Sequence, residues 1–306
     1  MFTLAHLSDL HLGPLPDGAA RRHFALKRTL GVINWRLGRH RQHSPAVAHA
    51  IASDIRDAAP DHVALTGDIV NVAAHAEFTA AASWLEGFGA PDWISFVPGN
   101  HDTYVRVDWT HGLSKLAAYM QGDMRVTLTQ MSGQIHAPFP YVRLRRNVAM
   151  IGVSTAVPQP LHRASGELGA IQRDSLAALL PDLRERGFAR VVMIHHPPLP
   201  GLASPRRALT DAGPLRDILL AHGAELVLHG HNHEPMFNTL TSRFGTVHVL
   251  GVPSASMTGT AHHPPAAWNL YRIQRQGGKW TTEVTTRSFD PATRTIATTA
   301  QLALSS

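Results

Sequence analysis

Five times along this chain a short apolar run stops at a cluster of side chains able to bind a metal ion. Phe2 to Leu7 ends at Asp9 and His11, His62 to Thr66 ends at Gly67-Asp68, and Trp93 to Val97 ends at Pro98-Gly99-Asn100-His101-Asp102. Arg190 to Ile194 ends at His195-His196-Pro197-Pro198, and Glu225 to Leu228 ends at His229-Gly230-His231-Asn232-His233. The runs have the length of buried strands, and between them lie stretches with apolar residues at helical spacing, at 45–59, 73–88, 171–185 and 210–222. Ser44-Pro45 gives one helix an N-cap with proline in its first turn, and Pro60 stops it. In an open α/β sheet the carboxyl ends of strands gather at one edge, where ligands bind. The polar clusters, scattered in sequence, are therefore expected to converge in space.

The rest of the chain fits one α/β domain covering 1–306. Tyr141 to Arg145 and Val148 to Val153 suggest paired strands, and from about 246 onward the chain alternates like β structure, including 268–274 and 280–287. The stretch 103–140 is the least periodic and is expected to form loops and short helices. There is no internal repeat and no low-complexity linker. The N-terminal run lacks the pattern of a secretory signal, so a cytoplasmic location is expected, and no apolar run approaches the roughly 18–20 residues of a membrane span.

Composition decides the chemistry of the clusters. The chain has 21 His and no Cys, which excludes disulfides, thiolate nucleophiles, iron–sulfur clusters and thiolate zinc sites. Any metal must be held by oxygen and imidazole, a donor set suited to Mn, Fe, Co, Ni or Zn. Asp9, His11, Asp68, Asn100, His195, His231 and His233 are too many for one ion of ordinary coordination. They suit two ions sharing a carboxylate, with positions open for water and substrate, an arrangement that performs displacement at phosphorus. A net charge of +6 favours anionic partners.

In this order the blocks Asp9-Leu10-His11, Gly67-Asp68, Gly99-Asn100-His101-Asp102, His195 and Gly230-His231-Asn232-His233 resemble the calcineurin-like metallophosphoesterases over about residues 1 to 260. The resemblance implies a four-layer α/β/β/α sandwich of the metallophosphoesterase type. It implies that Asp9, His11 and His233 hold one divalent or mixed-valence ion (Mn, Fe, Zn or Co), that Asn100, His195 and His231 hold the other, and that Asp68 bridges them. The attacking group would be hydroxide held between the ions. His101 would be the catalytic acid, and Asp102 would orient it or cap its loop.

The substrate reading rests on the residues after Asp68. Serine/threonine protein phosphatases of the superfamily read G-D-x-x-D-R-G, whereas this chain reads Gly67-Asp68-Ile69-Val70-Asn71-Val72-Ala73. That form, with His195-His196-Pro197-Pro198-Leu199-Pro200, is similar to the class III cyclic-nucleotide and glycerophosphodiester phosphodiesterase branch. The expected substrate is a small phosphodiester, with no stable nucleic-acid partner. One departure is a basic amphipathic insertion at about 19–43, where Arg21 to His43 interleaves Phe24, Leu26, Leu30, Ile33, Trp35 and Leu37 with Arg and Lys. Such a segment either packs its apolar face on the domain or lies on an anionic membrane surface. The second case makes a pyrophosphatase of a UDP-sugar lipid precursor the alternative function, with a non-cyclic nucleic-acid phosphodiesterase as another. Of the remaining histidines, His6 is expected in the core, and His49, His75, His111 and His222 are expected in solvent. His196 and His229 either orient neighbouring ligands or point away, and His262-His263 are candidates for the pocket wall.

Overall fold

The computed structural model describes residues 1–15, 26–123 and 139–306. The part of the basic insertion at 19–25 thus lies outside the described residues, as does 124–138 of the irregular middle stretch. The chain builds two six-stranded mixed sheets. The strands are β1 (Phe2–Leu7), β2 (His62–Leu65), β3 (Ile94–Phe96), β4 (Tyr141–Arg145), β5 (Val148–Gly152), β6 (Ala189–Met193), β7 (Leu226–His229), β8 (Met236–Ser242), β9 (Gly245–Gly251), β10 (Ala267–Gln276), β11 (Lys279–Asp290) and β12 (Thr295–Ser305). The first sheet has the order β12-β11-β10-β1-β2-β3 and the second β4-β5-β6-β7-β9-β8. Parallel pairing of β1 with β2 and β2 with β3, and of β5, β6, β7 and β9 in succession, sends the carboxyl ends of the ligand-bearing strands to a common edge of each sheet.

The layers follow from period-2 alternation in strands buried on both faces. Val191 and Met193 of β6 join the core shared with the first sheet, whereas Val192 and Ile194 join a second core under the helices Ala170–Glu185 and Ala212–His222. The helices Pro45–Ala58 and His75–Phe88 cover the first sheet with Val47, Ile51, Ile55, Phe78, Leu85 and Phe88. This is the expected α/β/β/α sandwich. Ser44 caps the helix Pro45–Ala58 by accepting from the Val47 N–H, and Ala59 ends it in the left-handed region.

The insertion folds onto the domain with an unexpected sidedness. It forms a helix at Leu26–Asn34, a π-turn at Trp35–Arg39 and a short helix at His40–Gln42. Arg28, Val32 and Trp35 face inward. Arg28 is held there because its guanidinium donates to the carbonyls of Val72 and Ala73. Leu26, Leu30, Ile33 and Leu37 are left on the outside, at 71%, 38%, 47% and 77% exposure.

Candidate metal centre

The seven candidate ligands meet where the two sheets abut. The first sheet contributes Asp9, His11, Asp68 and Asn100, and the second contributes His195, His231 and His233. Asp68 is central: its Oδ2 lies 3.8 Å from His11 Nε2 and 3.4 Å from His195 Nε2, while its Oδ1 accepts from the His101 N–H at 2.7 Å. On one side His233 Nε2 is 3.2 Å from Asp9 Oδ1 and 3.3 Å from His11 Nε2. On the other, His195 Nε2 is 3.2 Å from Asn100 Oδ1, and the His195 and His231 rings are 5.1 Å apart. The structure thus brings together Asp9, His11 and His233 on one side and Asn100, His195 and His231 on the other, with Asp68 between them.

The backbone is bent to achieve this. Asp9, His11, Asp68, His231 and His233 all have positive φ, at 55°, 42°, 53°, 72° and 58°. Non-glycine residues seldom adopt this region, and such strain concentrates where the surroundings over-determine a functional loop. Asp102 is one such constraint. Its buried carboxylate accepts from the N–H groups of Asp68, Ile69, Val70 and Gly99, so it caps the loop and does not orient His101. The glycines of the motifs have a steric reason as well. A Cβ on Gly230 would lie 1.9 Å from Ser8 Oγ and 2.4 Å from Asp9 Oδ2, and one on Gly99 would lie 2.3 Å from Asp68 Oδ1.

The donor set fits two cations. Asp9, His11, Asp68, His195 and His231 are all less than 5% exposed, yet among the described residues Asp9 Oδ1, for all its closeness to His233, and His231 Nε2 are buried without a hydrogen bond. Orphaned polar atoms of this kind cost about 1–3 kcal/mol each unless something else engages them. Burial pushes His11 and His231 well below the ordinary histidine value, His11 further through His43 and Arg39 and His231 through His196 and His195. Their rings are therefore neutral, with lone pairs available to a metal. Burial alone would raise Asp9 and Asp68, but His233 beside Asp9 and His195 beside Asp68 hold both carboxyls below the usual range. Burial disfavours charge on His195 too, but the Asp68 carboxylate outweighs it and raises the ring to about 9. An ion binding there displaces that proton.

His101 lies beside this cluster. Its Nδ1–H donates to the Asn71 carbonyl at 2.5 Å, and its ring stacks on Tyr104. Burial, reinforced by Arg39, lowers it to about 4. Its Nε2 consequently carries a lone pair, 3.3 Å from Arg39 Nη1. His196 is engaged at both nitrogens, by Thr155 Oγ1 at 2.7 Å and the Ala164 carbonyl at 3.1 Å, and packs 4.5 Å from the His231 ring, which it helps to seat. His229 Nδ1 meets the Gly230 carbonyl. His6 is fully buried, and the His263 ring lies 5.7 Å from that of His233.

Two residues at the centre escape the strand-end pattern, Arg39 and His43. Arg39 reaches His101 and, with Nη2, the His11 ring at 3.4–3.5 Å, while the His43 ring packs 4.5 Å from His11. Their spacing with Trp35, four residues each, is the one sequence signal that places all three on one face of a turn.

Comparison with known proteins agrees with this geometry. The profile of the calcineurin-like phosphoesterases matches residues 2–235. The chain belongs to that family. A probable cyclic nucleotide phosphodiesterase of Synechococcus is 23% identical over 285 residues, covering 92% of this chain and 91% of the relative. A dimetal phosphatase from Danio rerio has the same fold, with a TM-score of 0.62 at 13% identity, covering 99% of this chain and 98% of that one. The purple acid phosphatase PPD1 of yellow lupin does so at a TM-score of 0.57 and 11% identity, covering 99% of this chain and 53% of that one. These two likenesses show the fold of this phosphoesterase. Among its described residues no helix is long and apolar enough to cross a membrane.

Proposed function

We propose that this phosphoesterase hydrolyses phosphodiesters, with a cyclic nucleotide or a related small diester as substrate. The carrying observation is the support of His101. Where a protein phosphatase of the superfamily would place an acid and then an arginine after the bridging Asp, this chain rests His101 Nδ1 on the main-chain oxygen of Asn71. The Asn71 side chain turns away to donate to the Leu12 carbonyl. A neutral carbonyl holds the ring without adding negative charge, and Arg39 brings one positive charge to the same spot, in keeping with the single negative charge of a diester. The name of the Synechococcus relative points the same way.

Asp9, His11 and His233 would hold one ion, Asn100, His195 and His231 the other, and Asp68 both. Bound ions supply an activated water-derived nucleophile and neutralise charge developing at phosphorus. Arg39 holds a non-bridging oxygen, and His101 Nε2, which takes up a proton from solvent water as the anion binds beside it, gives that proton to the leaving oxygen. In chelator-stripped protein reloaded with Mn, Fe, Co, Ni or Zn, bis(p-nitrophenyl) phosphate is expected to exceed p-nitrophenyl phosphate at least about tenfold in kcat/KM. A monoester preference, or no turnover with any metal, removes the reading. A panel of cyclic nucleotides, glycerophosphodiesters and nucleotide sugars then ranks the substrates.

A second reading adds an anionic membrane surface and an amphiphilic diester or pyrophosphate as substrate. It is favoured by the stripe of Leu26, Leu30, Ile33 and Leu37, four of the nine exposed large apolar side chains among the described residues, beside exposed Arg36 and Arg41. Burying one leucine is worth about 1.5–3 kcal/mol. The double variant Leu30→Glu/Leu37→Glu is therefore expected to cut co-sedimentation with phosphatidylserine vesicles more than tenfold. Equal recovery of both proteins, or none of either, removes the membrane.

A further inference from the structure

We propose that His43 is an additional metal ligand, brought by the insertion to the ion of Asp9, His11 and His233. The inference rests on the two-ion reading of the site. It lies outside the strand-end motifs, and three observations carry it.

The first is position. His43 is 2% exposed, and its ring lies 4.5 Å from that of His11 and edge-on to that of His233 at 5.6 Å. A nitrogen from each of the three rings falls within 4.8 Å of the other two. Three buried imidazoles converging in this way make a donor set of the kind that holds one cation.

The second is the hydrogen-bond chain behind the ring. Ser254 Oγ–H has to donate to the carbonyl of Asp9, at 2.7 Å, because a carbonyl only accepts. Ser256 Oγ is 3.3 Å from Ser254 Oγ and 2.8 Å from His43 Nδ1. With the Ser254 proton committed, the chain that uses every donor runs from His43 Nδ1–H to Ser256, to Ser254 and on to Asp9. The tautomer assigned this way leaves the Nε2 lone pair free, and Nε2 has no hydrogen bond among the described residues. A partner that fixes one nitrogen so that the other can bind a metal is the usual support of a histidine ligand.

The third is rigidity. Trp35 stacks parallel to the His43 ring at 6.3 Å and lies close enough to Gly13 that a Cβ there would meet it at 2.7 Å. Main-chain bonds from Ser44 N–H to the Ser256 carbonyl and from Thr258 N–H to the Gln42 carbonyl, each 2.8 Å, clamp residue 43 against the loop that carries the serines.

The test is Co(II) titration of the metal-free protein, followed by ion counting and the visible spectrum of the bound cobalt. Wild type is expected to take two equivalents. His43→Ala should bind one of them ten- to a hundredfold more weakly, with a changed cobalt band for that equivalent alone. Ser256→Ala, which removes the acceptor of Nδ1 and keeps the ring, should weaken the same equivalent by a smaller factor. Circular dichroism of the metal-free variants checks folding. Two equivalents at wild-type affinity with an unchanged spectrum in His43→Ala would overturn the inference. If that variant does not fold, unchanged affinity in Ser256→Ala overturns it. Fewer than two equivalents in wild type overturns the two-ion reading, and this inference with it.

Discussion

Asp68→Asn is expected to abolish tight binding of both ions and to lower diester hydrolysis by about 10⁴-fold or more, a loss of about 5.5 kcal/mol of transition-state stabilisation. The variant is chosen to keep everything else. Asparagine accepts the His101 N–H through its amide oxygen as Asp68 Oδ1 does, and asparagine tolerates the positive φ of this position better than most residues. What it removes is the charge of a carboxylate set 3.4 Å from His195 and 3.8 Å from His11, between the two halves of the cluster. An Asp9 variant should lose one ion. Counting metal after desalting, together with hydrolysis, checks both. Two retained equivalents in Asp68→Asn would remove the shared-carboxylate role.

The metal-free protein is expected to lose stability steeply as pH falls below 6.5. His6 and His62 lie apart from the ligands, both fully buried, with Nε2 on Thr66 Oγ1 and Ser95 Oγ, each at 2.8 Å. Burial, with His229 next, pushes His6 from 6.5 down to about 3, and burial, with Arg143 next, pushes His62 down to about 2. The unfolded chain takes up these protons near pH 6.5 and the folded chain does not. The contribution of these two rings is therefore constant above 6.5 and falls with pH below it, down to the folded values. The slope is about 1.4 kcal/mol per pH unit for each ring, hence about 7 kcal/mol for the two between pH 6.5 and 4. That is of the order of the whole stability of many domains, about 5–15 kcal/mol. Urea unfolding at pH 7, 6, 5 and 4 in chelator measures it, and His62→Gln should remove about one proton's worth of slope. Stability unchanged between pH 7 and 4 would show that these rings titrate normally.

The central strands were legible because both their faces are buried. Runs such as Val191 to Ile194 are continuously apolar, and they stop where the polar loop begins. β8 was not legible, and β12 was covered only by the general β-like reading from about 246, without bounds of its own; each lies at the edge of its sheet. β8 alternates only between exposed and half-buried residues, and most of β12 is exposed, so neither shows the apolar signal of a core strand. The candidate site divides in the same way. Residues tied to strand ends converge because topology gathers strand ends. Arg39 ends a π-turn and His43 follows the short helix after it; the π-turn shifts the phase set by the preceding helix, and a helical wheel of the insertion cannot anticipate that shift. Nor could composition reveal that Arg28 faces inward, because its burial depends on two main-chain carbonyls supplied by residues 72 and 73.

The centre draws its donors from both sheets, and this makes the ions a clasp between two halves of the chain. Asp9, His11, Asp68 and Asn100 come from the half that contains β1 to β3, and His195, His231 and His233 from the half that contains β6 and β7. Separating the sheets disperses the ligands, so whatever free energy the ions gain by binding is added to the cohesion of the sandwich. Loss of the ions would then loosen the interface between the sheets as well as end the activity, and a cell short of the right metal would hold a less stable protein along with an idle one.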